Sequence, residues 1–422
     1  MLDIAIVGGG AAGYFAAIQA ALLHPSLRIA ILERGSLGLD KVRVSGGGRC
    51  NVTHHALDPK HLTTHYPRGE KALLGPFHHY GPSEVIDFFE QQGVPLKIES
   101  DGRMFPIANS SQAIIDCFVS LRESLGISLY AKCALKSMSP NPDGSWLLST
   151  ASQQISAKKI LLATGSNPKI FSLLNALGHE IVAPVPSLFT FNISDPRLEG
   201  LAGLSTPASV KLLLPGQAAK KALSSSGPLL ITHWGLSGPA VLKLSAWGAR
   251  LLATEDYDFR IEVNFLPQYS PSMLIEQLYI HKKKHAKKRV YSSYDFELPK
   301  RFWQRLVTVS GISEDLEWAH MTKDQLAALA IELGEAPYTV SGKSTFKEEF
   351  VTAGGVTLKE VSFKDVQSKL FPGLYFAGEI LNIDAITGGF NFQSAWTTGF
   401  LAAQGMVDAL KKASLENGQT LH

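Results

Sequence analysis

The 422-residue chain is short of cysteine: Cys50, Cys117 and Cys133 are the only three, and no CxxC or CxxxxC pair occurs among them. That excludes a disulfide framework and dithiol redox chemistry, and it leaves no cysteine spacing suited to zinc. A reducing compartment follows, the cytoplasm by default, and no metal site is expected. Long apolar runs are missing as well. The hydrophobic segments are short and interrupted, so neither a membrane span nor a membrane partner is expected. The Met-Leu-Asp start enters a strand directly, without the form of a signal peptide. Charged residues make up a moderate 18 % and hydrophobic ones 45 %, which excludes a disordered chain. No internal repeat is apparent, and the length suits about two or three domains.

Glycine, by contrast, is concentrated where chemistry would need it. Asp3 to Val7, DIAIV, reads as a buried strand, followed by Gly8-Gly-Gly-Ala-Ala-Gly13 and a helix-spaced YFAAIQAALL. A second apolar run, Arg28 to Leu32, ends at Glu33. The pattern is strand, GxGxxG turn, helix, strand, acid. Gly8 permits the tight turn, Gly10 lets a pyrophosphate approach the main chain, and Gly13 lets helix pack on strand. Phosphates would lie on the helix N-terminus, with Glu33 placed for a ribose.

Two further segments favour FAD over NAD. KKILLATG (Lys158 to Gly165) is a strand with a Thr164-Gly165 exit that could cover the nucleotide. PGLYFAGE (Pro372 to Glu379) is another buried strand, with a small-residue exit at Gly378 and Glu379. It leads to Gly388 and Gly389 ahead of a helix, whose N-terminus would stabilise the negative charge of a reduced flavin. A nicotinamide has no need of this.

SGGGRCN (Ser45 to Asn51), GRMFP (Gly102 to Pro106), THWGLSGPAVLKLS (Thr232 to Ser245) and PGLYFAGEILNIDAITGGFNFQSAWTTG stand in one order along the chain. In all four the chain resembles a bacterial FAD-dependent oxidoreductase family that includes bile-acid dienoyl reductases, aminoacetone oxidase and a ribosomal-RNA dihydrouridine synthase. The resemblance implies an α/β fold: a two-piece Rossmann-like FAD-binding domain with an inserted β-barrel-like segment and a small helical cap. The expected boundaries are 1–186 and 346–422 for the FAD domain, 187–270 for the barrel, 271–335 for the cap and 336–345 for a return strand. Carried over by position, FAD contacts fall at Ala12, Glu33, Arg34, Gly46, Gly47, Asn51, Ala134, Glu379, Asn391 and Phe392. His54, Asn382 and Ala385 depart from the family pattern, which expects Asn, Asp and Gly there.

The three glycines of SGGGRCN would let main chain lie flat against the flavin. Arg49 could neutralise phosphate or pair with a carboxylate of a closing domain, and Asn51 offers donor and acceptor to the flavin edge. Cys50 has two readings, a proton donor or flavin attachment point, and a small buried hydrophobe. His233 likewise reads as an acid facing the cavity or as a turn residue. The pairs His54-His55 and His78-His79 read as solvated surface.

The chain contains one complete GxGxxG, so NAD(P)H, if it supplies electrons, is a transient visitor; reoxidation of flavin by oxygen is the other course. Within the inserted region, SLFTFNI, ASVKLLL, PLLITH and YDFRIEVNF read as strands. Helices are read at 270–288, 299–311 and 322–334, the last with Thr322 as N-cap. His281 to Arg305 carries nine Lys or Arg against Asp295 and Glu297. It reads either as a solvated helix end or as a nucleic-acid stripe with Tyr291, Tyr294 and Phe302 for stacking. The function expected is flavin-dependent hydride transfer to an activated C=C, with uracil of ribosomal RNA as first candidate. An NAD(P)H-linked small-molecule enoyl reductase or amine oxidase, and a non-catalytic flavin-bearing RNA-binding protein, are the alternatives.

Overall fold

Five runs far apart in sequence line up as parallel strands. β1 (Leu2–Val7) pairs with β2 (Ile29–Leu32) on one side and with Gln154–Leu162 on the other. Leu374–Phe376 adds beyond Gln154–Leu162, and Ser128–Tyr130 adds beyond β2. Leu2–Val7, Ile29–Leu32, Leu374–Phe376 and the end of Gln154–Leu162 are nearly continuous in buried hydrophobic residues, as strands covered on both faces must be. A hairpin, Leu135–Pro140 with Trp146–Thr150, joins the edge of the Gln154–Leu162 strand, its turn closed by Asn141 N–H on the Ser145 carbonyl at 2.8 Å. The computed structural model describes residues 1–214, 222–344, 351–416 and 418. It divides into two units, Met1–Val185 with Lys347–His422, and Pro186–Phe346.

In the first unit α1 (Ala11–Leu23) lies against the helix Phe390–Glu416. Small residues make that approach close: a Cβ on Gly399 would stand 3.0 Å from the Ala12 carbonyl oxygen. Around them Phe15, Phe89, Phe118 and Trp396 form an aromatic core with ring centroids 5.3–6.4 Å apart. One buried charge pair ties distant chain: Asp384, fully buried, takes the Arg68 guanidinium in a two-pronged contact.

The second unit carries a seven-stranded antiparallel sheet, in the order Ala336–Ser341, Asp258–Asn264, Ser205–Leu213, Ser224–Ile231, Gly235–Ser237, Thr190–Asn192, Lys343–Ser344. Its first and last members are separated in the chain by Gly342 alone. Gly342 donates to the Tyr257 carbonyl (2.8 Å) and accepts from Asn192 N–H (3.1 Å), so the sheet curls round to meet itself. Helices Pro271–Lys284, Lys300–Val309 and Lys323–Gly334 follow, the last opened by a Thr322–Gln325 capping box. The first of these stops at Lys284 rather than 288, because the chain turns at His285. A sixteen-residue helix, Pro239–Thr254, begins within THWGLSGPAVLKLS, runs on past its end, and was not expected there. Its Pro at the first helical position is the signal that identifies it.

Removing one partner of the buried pair leaves an uncompensated charge. Asp384→Ala should destabilise by about 3 kcal/mol or more, read as a lowered midpoint in urea unfolding of the full chain.

Candidate cofactor site

The central strands stop together. Val7 is in register with both Leu32 and Leu162, and Leu162 with Phe376. Gly8, Glu33, Ala163 to Gly165 and Ala377 to Glu379 therefore all leave one edge of the sheet, the edge where open parallel sheets bind ligands.

At that edge the glycine turn takes the form its spacing foretold. Gly8 has φ 108°, and a Cβ there would lie 2.5 Å from the Ala163 carbonyl oxygen. A Cβ on Gly13 would lie 2.0 Å from the Gly8 carbonyl oxygen, so only glycine lets α1 sit this close to β1. Gly10 is different: a Cβ there meets nothing within 4 Å. Packing does not require glycine at that position, which leaves open space over the turn where a pyrophosphate would lie. No side chain caps α1, which leaves its first N–H groups open to an anion. Glu33 is buried, and its carboxylate accepts from Gly9 N–H (2.7 Å) and Gly35 N–H (2.6 Å). Ala12, buried beneath the turn, meets Gly378, whose Cβ would be 3.0 Å away.

On the next strands, Thr164 precedes Gly165 (φ 61°), which faces the Glu379 carboxylate. Glu379 accepts from Lys41 Nζ (2.5 Å) and Thr352 N–H (2.9 Å), while Gly378 N–H bonds to Thr398 Oγ1 (2.9 Å). Lys41, Thr352 and Thr398 escaped the sequence reading, since nothing local marks a residue that acts on a distant loop. Gly389 (φ 90°) opens the C-terminal helix, its carbonyl accepting from Gln393 N–H at 2.9 Å. A Cβ on Gly389 would strike the Thr53 carbonyl at 2.5 Å.

Asn51 and Asn391 serve as straps. The Asn51 carboxamide accepts from Gly389 N–H (2.9 Å) and donates to the Thr53 (3.0 Å) and Met104 (3.2 Å) carbonyls. Asn391 holds both backbone groups of Ala385, at 3.0 and 3.1 Å. Phe392 stacks on Trp396, centroids 5.4 Å apart.

SGGGRCN is not the flat ribbon expected. Gly46, Gly47 and Gly48 have φ of 57°, 68° and 82°, and Cys50 follows at 58°, so the segment is a tight left-handed coil. Added Cβ atoms on Gly47 and Gly48 meet nothing within 4 Å. Their bare, exposed main chain is again clearance rather than packing. Cys50 is fully buried, and burial pushes its thiol up to about 12. Of the two readings of Cys50, this burial favours the small hydrophobe. Arg49 pairs with Glu99 (2.7 Å) and stacks over Phe105 (4.0 Å), both within its own unit. His54 is also corrected. It is half-buried, stacked with Phe390 (4.6 Å), and burial lowers its pKa, whereas His55, His78 and His79 are exposed.

Arg34 and Ala134 are exposed beside the edge of β2, where Cys133 N–H bonds to the Glu33 carbonyl (2.7 Å). His233 belongs to the second unit, exposed on the turn between Ser224–Ile231 and Gly235–Ser237, with no hydrogen-bond partner recorded among the described residues. The basic stripe is largely spent on the fold. Lys282 bonds to the Met321 carbonyl (2.6 Å), Lys284 to Asp295 (2.7 Å), Arg289 to Asp315 (3.1 Å), Arg301 to the Gly200 carbonyl and Arg305 to the Pro196 (2.5 Å) and Glu199 (3.0 Å) carbonyls. Phe302 is fully buried and Tyr294 stacks on Trp303 at 4.6 Å, so neither is a free platform for a base.

The residues fit FAD. Gly8, Gly10, Ala12, Gly13 and Glu33 would hold its adenylate and pyrophosphate, while Gly46, Gly47 and the helix opened at Gly389 lie toward the ring end. The fold and this cradle are those of an FAD-dependent oxidoreductase. Residues 2–405 match the HI0933-like protein Rossmann domain, and the chain belongs to that family. It is 27 % identical over 412 residues to the 3-dehydro-bile acid delta(4,6)-reductase of Clostridium scindens, covering 96 % of this chain and 98 % of that one. It is 26 % identical over 418 residues to the ribosomal RNA dihydrouridine synthase of Escherichia coli, with the same coverages, 96 % and 98 %. Among solved structures it resembles the 3-ketosteroid delta1-dehydrogenase of Sterolibacterium denitrificans (TM-score 0.52, 11 % identity, 97 % of this chain and 99 % of that one), a likeness of fold. No helix among the described residues is long and apolar enough to cross a membrane.

Two glycines should separate under substitution. Gly10→Ala should leave the apoprotein's thermal midpoint within about 2 °C, since a surface change without a packing cost stays within about 0.5 kcal/mol, yet weaken FAD binding at least about tenfold. Gly13→Ala should lower the midpoint before any FAD is added. Calorimetry of apoprotein and a fluorescence titration with FAD read the two effects. Cys50 should resist iodoacetamide at pH 8 in the native chain and react on unfolding, as mapped by peptide mass.

Proposed function

We propose that this oxidoreductase reduces a carbon–carbon double bond conjugated to a carbonyl, taking its electrons from NADH or NADPH as a transient visitor. The carrying observation is that the cradle's polar side chains are engaged in holding the fold, Glu33 and Glu379 included. Cys50 is sealed, and Asn51 and Asn391 give their carboxamides to backbone. Such a site leaves hydride chemistry to its cofactor and confines the protein to binding and orientation. The relatives' names support that bond class: a delta(4,6)-reductase of a 3-dehydro bile acid and a synthase of dihydrouridine both saturate a C=C next to a carbonyl.

Bound FAD would supply the hydride. The chain's own work is to fix the nucleotide at the α1 N-terminus, to hold the Gly388-Gly389 turn through Asn51, and to shut the Cys50 thiol away from the ring. With one GxGxxG in the sequence, a reduced nicotinamide has no dedicated seat of that kind and would exchange with substrate.

A small neutral enone is the substrate class favoured here, because five of the nine cations in the stripe that suggested RNA are bonded within the fold. Uracil in ribosomal RNA is the second reading, favoured by the names of two relatives and by Lys283, Lys287, Lys288 and Lys300, all exposed. Salt separates them. Reduction of a small enone should change less than about twofold between about 50 and about 300 mM salt. RNA binding through four lysines should fall about 100-fold over that interval. Anaerobic addition of NADH and NADPH in turn should bleach the flavin with at least one of them, and oxidised flavin surviving both would defeat the nicotinamide proposal. An unchanged dihydrouridine map of rRNA from a strain lacking the chain would dispose of the RNA reading.

A further inference from the structure

The basic stripe hides a cluster that the cofactor site does not use. His281 and His285 are four residues apart at the end of the helix Pro271–Lys284, so both rings lie on one face, centroids 5.6 Å apart. Asp295 comes back beside them. Its Oδ2 is 3.3 Å from His281 Nε2 and 2.9 Å from His285 Nε2. One ligand atom from each of the three lies within 4.8 Å of the others, and this is the one such group found among the described residues.

From this geometry we propose a divalent zinc-type metal site formed by His281 Nε2, His285 Nε2 and Asp295 Oδ2, with water completing a tetrahedron. In a tetrahedral zinc site with bonds of about 2.0–2.2 Å, neighbouring ligand atoms stand about 3.3 Å apart. The two contacts to Asp295 lie at that spacing (3.3 Å) and somewhat inside it (2.9 Å). His281 is also oriented as a ligand should be. Its Nδ1 donates to the Gln277 carbonyl at 3.0 Å, which fixes the tautomer and leaves Nε2 as the lone-pair atom. Phe296, stacked on His281 at 4.6 Å, and Trp318, 6.0 Å away, form an apolar wall behind it. The Asp295 side chain is 40 % exposed, so the remaining position opens to water.

What occupies the spot now is cationic. The Lys284 ammonium sits 2.7 Å from Asp295 Oδ2, and with His285 it holds that carboxyl well below the usual carboxylate range. The lysine side chain is 61 % exposed and can swing into solvent. Metal entry therefore replaces an ammonium with a divalent ion, releases the Nε2 proton of His285, and passes the Asp295 N–H, now 3.1 Å from His281 Nε2, to water. Because it ties the end of one helix to the following loop, the ion would stabilise the helical part of the second unit. The proposal stands apart from the substrate reading above.

The test is titration of the full-length, FAD-loaded chain with Co²⁺ and then Zn²⁺ after chelator dialysis, at pH 7.5. One equivalent of Co²⁺ should bind with the intense visible bands of a four-coordinate ion, and Zn²⁺ should displace it. His285→Gln and Asp295→Asn should each weaken binding at least tenfold, while Lys283→Ala should leave it unchanged. Lys284→Met, which removes the competing ammonium and leaves all ligands in place, should bind several-fold more tightly. Far-UV circular dichroism and the thermal midpoint report that each variant is folded. Absence of Co²⁺ uptake by both the unsubstituted chain and Lys284→Met would overturn the proposal, as would uptake that ignores His285 and Asp295.

Discussion

Everything at the cofactor site hangs on how closely α1 can approach β1. A methyl group on Gly13 would stand 2.0 Å from the Gly8 carbonyl oxygen, inside any tolerable contact. Without it the helix drops onto the strand and its uncapped N-terminus points along the sheet's carboxyl edge. Orientation is the whole value of a helix N-terminus as an anion site, because the partial charge falls off within a turn. The neighbouring glycine turns repeat this logic. Gly8 lets the chain pass the Ala163 carbonyl, and Gly378 lets the fourth strand pass Ala12.

The second requirement is that chain far apart in sequence be locked together, since a ring end assembled from two pieces is no better than the joint. Thr53 Oγ1 bonds to Gln393 (2.5 Å), Trp396 Nε1 to the Val52 carbonyl (2.9 Å), and Asn51 to Gly389 N–H. Arg68 and Asp384 add a buried charge pair across the same joint. Cys50 sits in the middle of this lacework as an apolar plug. That answers what a left-handed, fully buried cysteine does after three glycines: it anchors the coil, so that Gly47 and Gly48 can stay bare at the surface.

The halves of this site were not equally legible. Gly8, Gly10, Gly13 and Glu33 announce themselves because their roles are local, fixed by a turn, a helix start and one crossover. Thr322 as N-cap was readable for the same reason. Asn51 and Asn391 were marked as site residues, but the sequence could not show that their carboxamides face backbone, since the acceptors lie on other strands. Lys41, Thr352, Thr398, Glu99 and Phe105 went unseen because each acts across a contact that exists only after folding. The helix Pro239–Thr254 was missed for another reason: its glycine-rich lead drew attention to the turn and away from the apolar periodicity behind it.

The stripe from His281 to Arg305 shows why net charge along a sequence is a weak guide to partners. Seen as a string it is a dense run of cations, yet a helix end and the loop after it present many unpaired carbonyls, and cations satisfy them. Arg301 and Arg305 turn to the carbonyls of the Pro196–Gly200 loop, Lys282 to Met321, and Lys284 to Asp295. A cation held in this way keeps its charge but loses freedom to follow a phosphate backbone, and Lys284 and Arg289 are further offset by carboxylates. The useful quantity is the number of ammonium and guanidinium groups left after the fold has taken its share. Counted so, the surface argues less for a nucleic acid than the sequence does, and the weight of the functional argument returns to the glycine cradle.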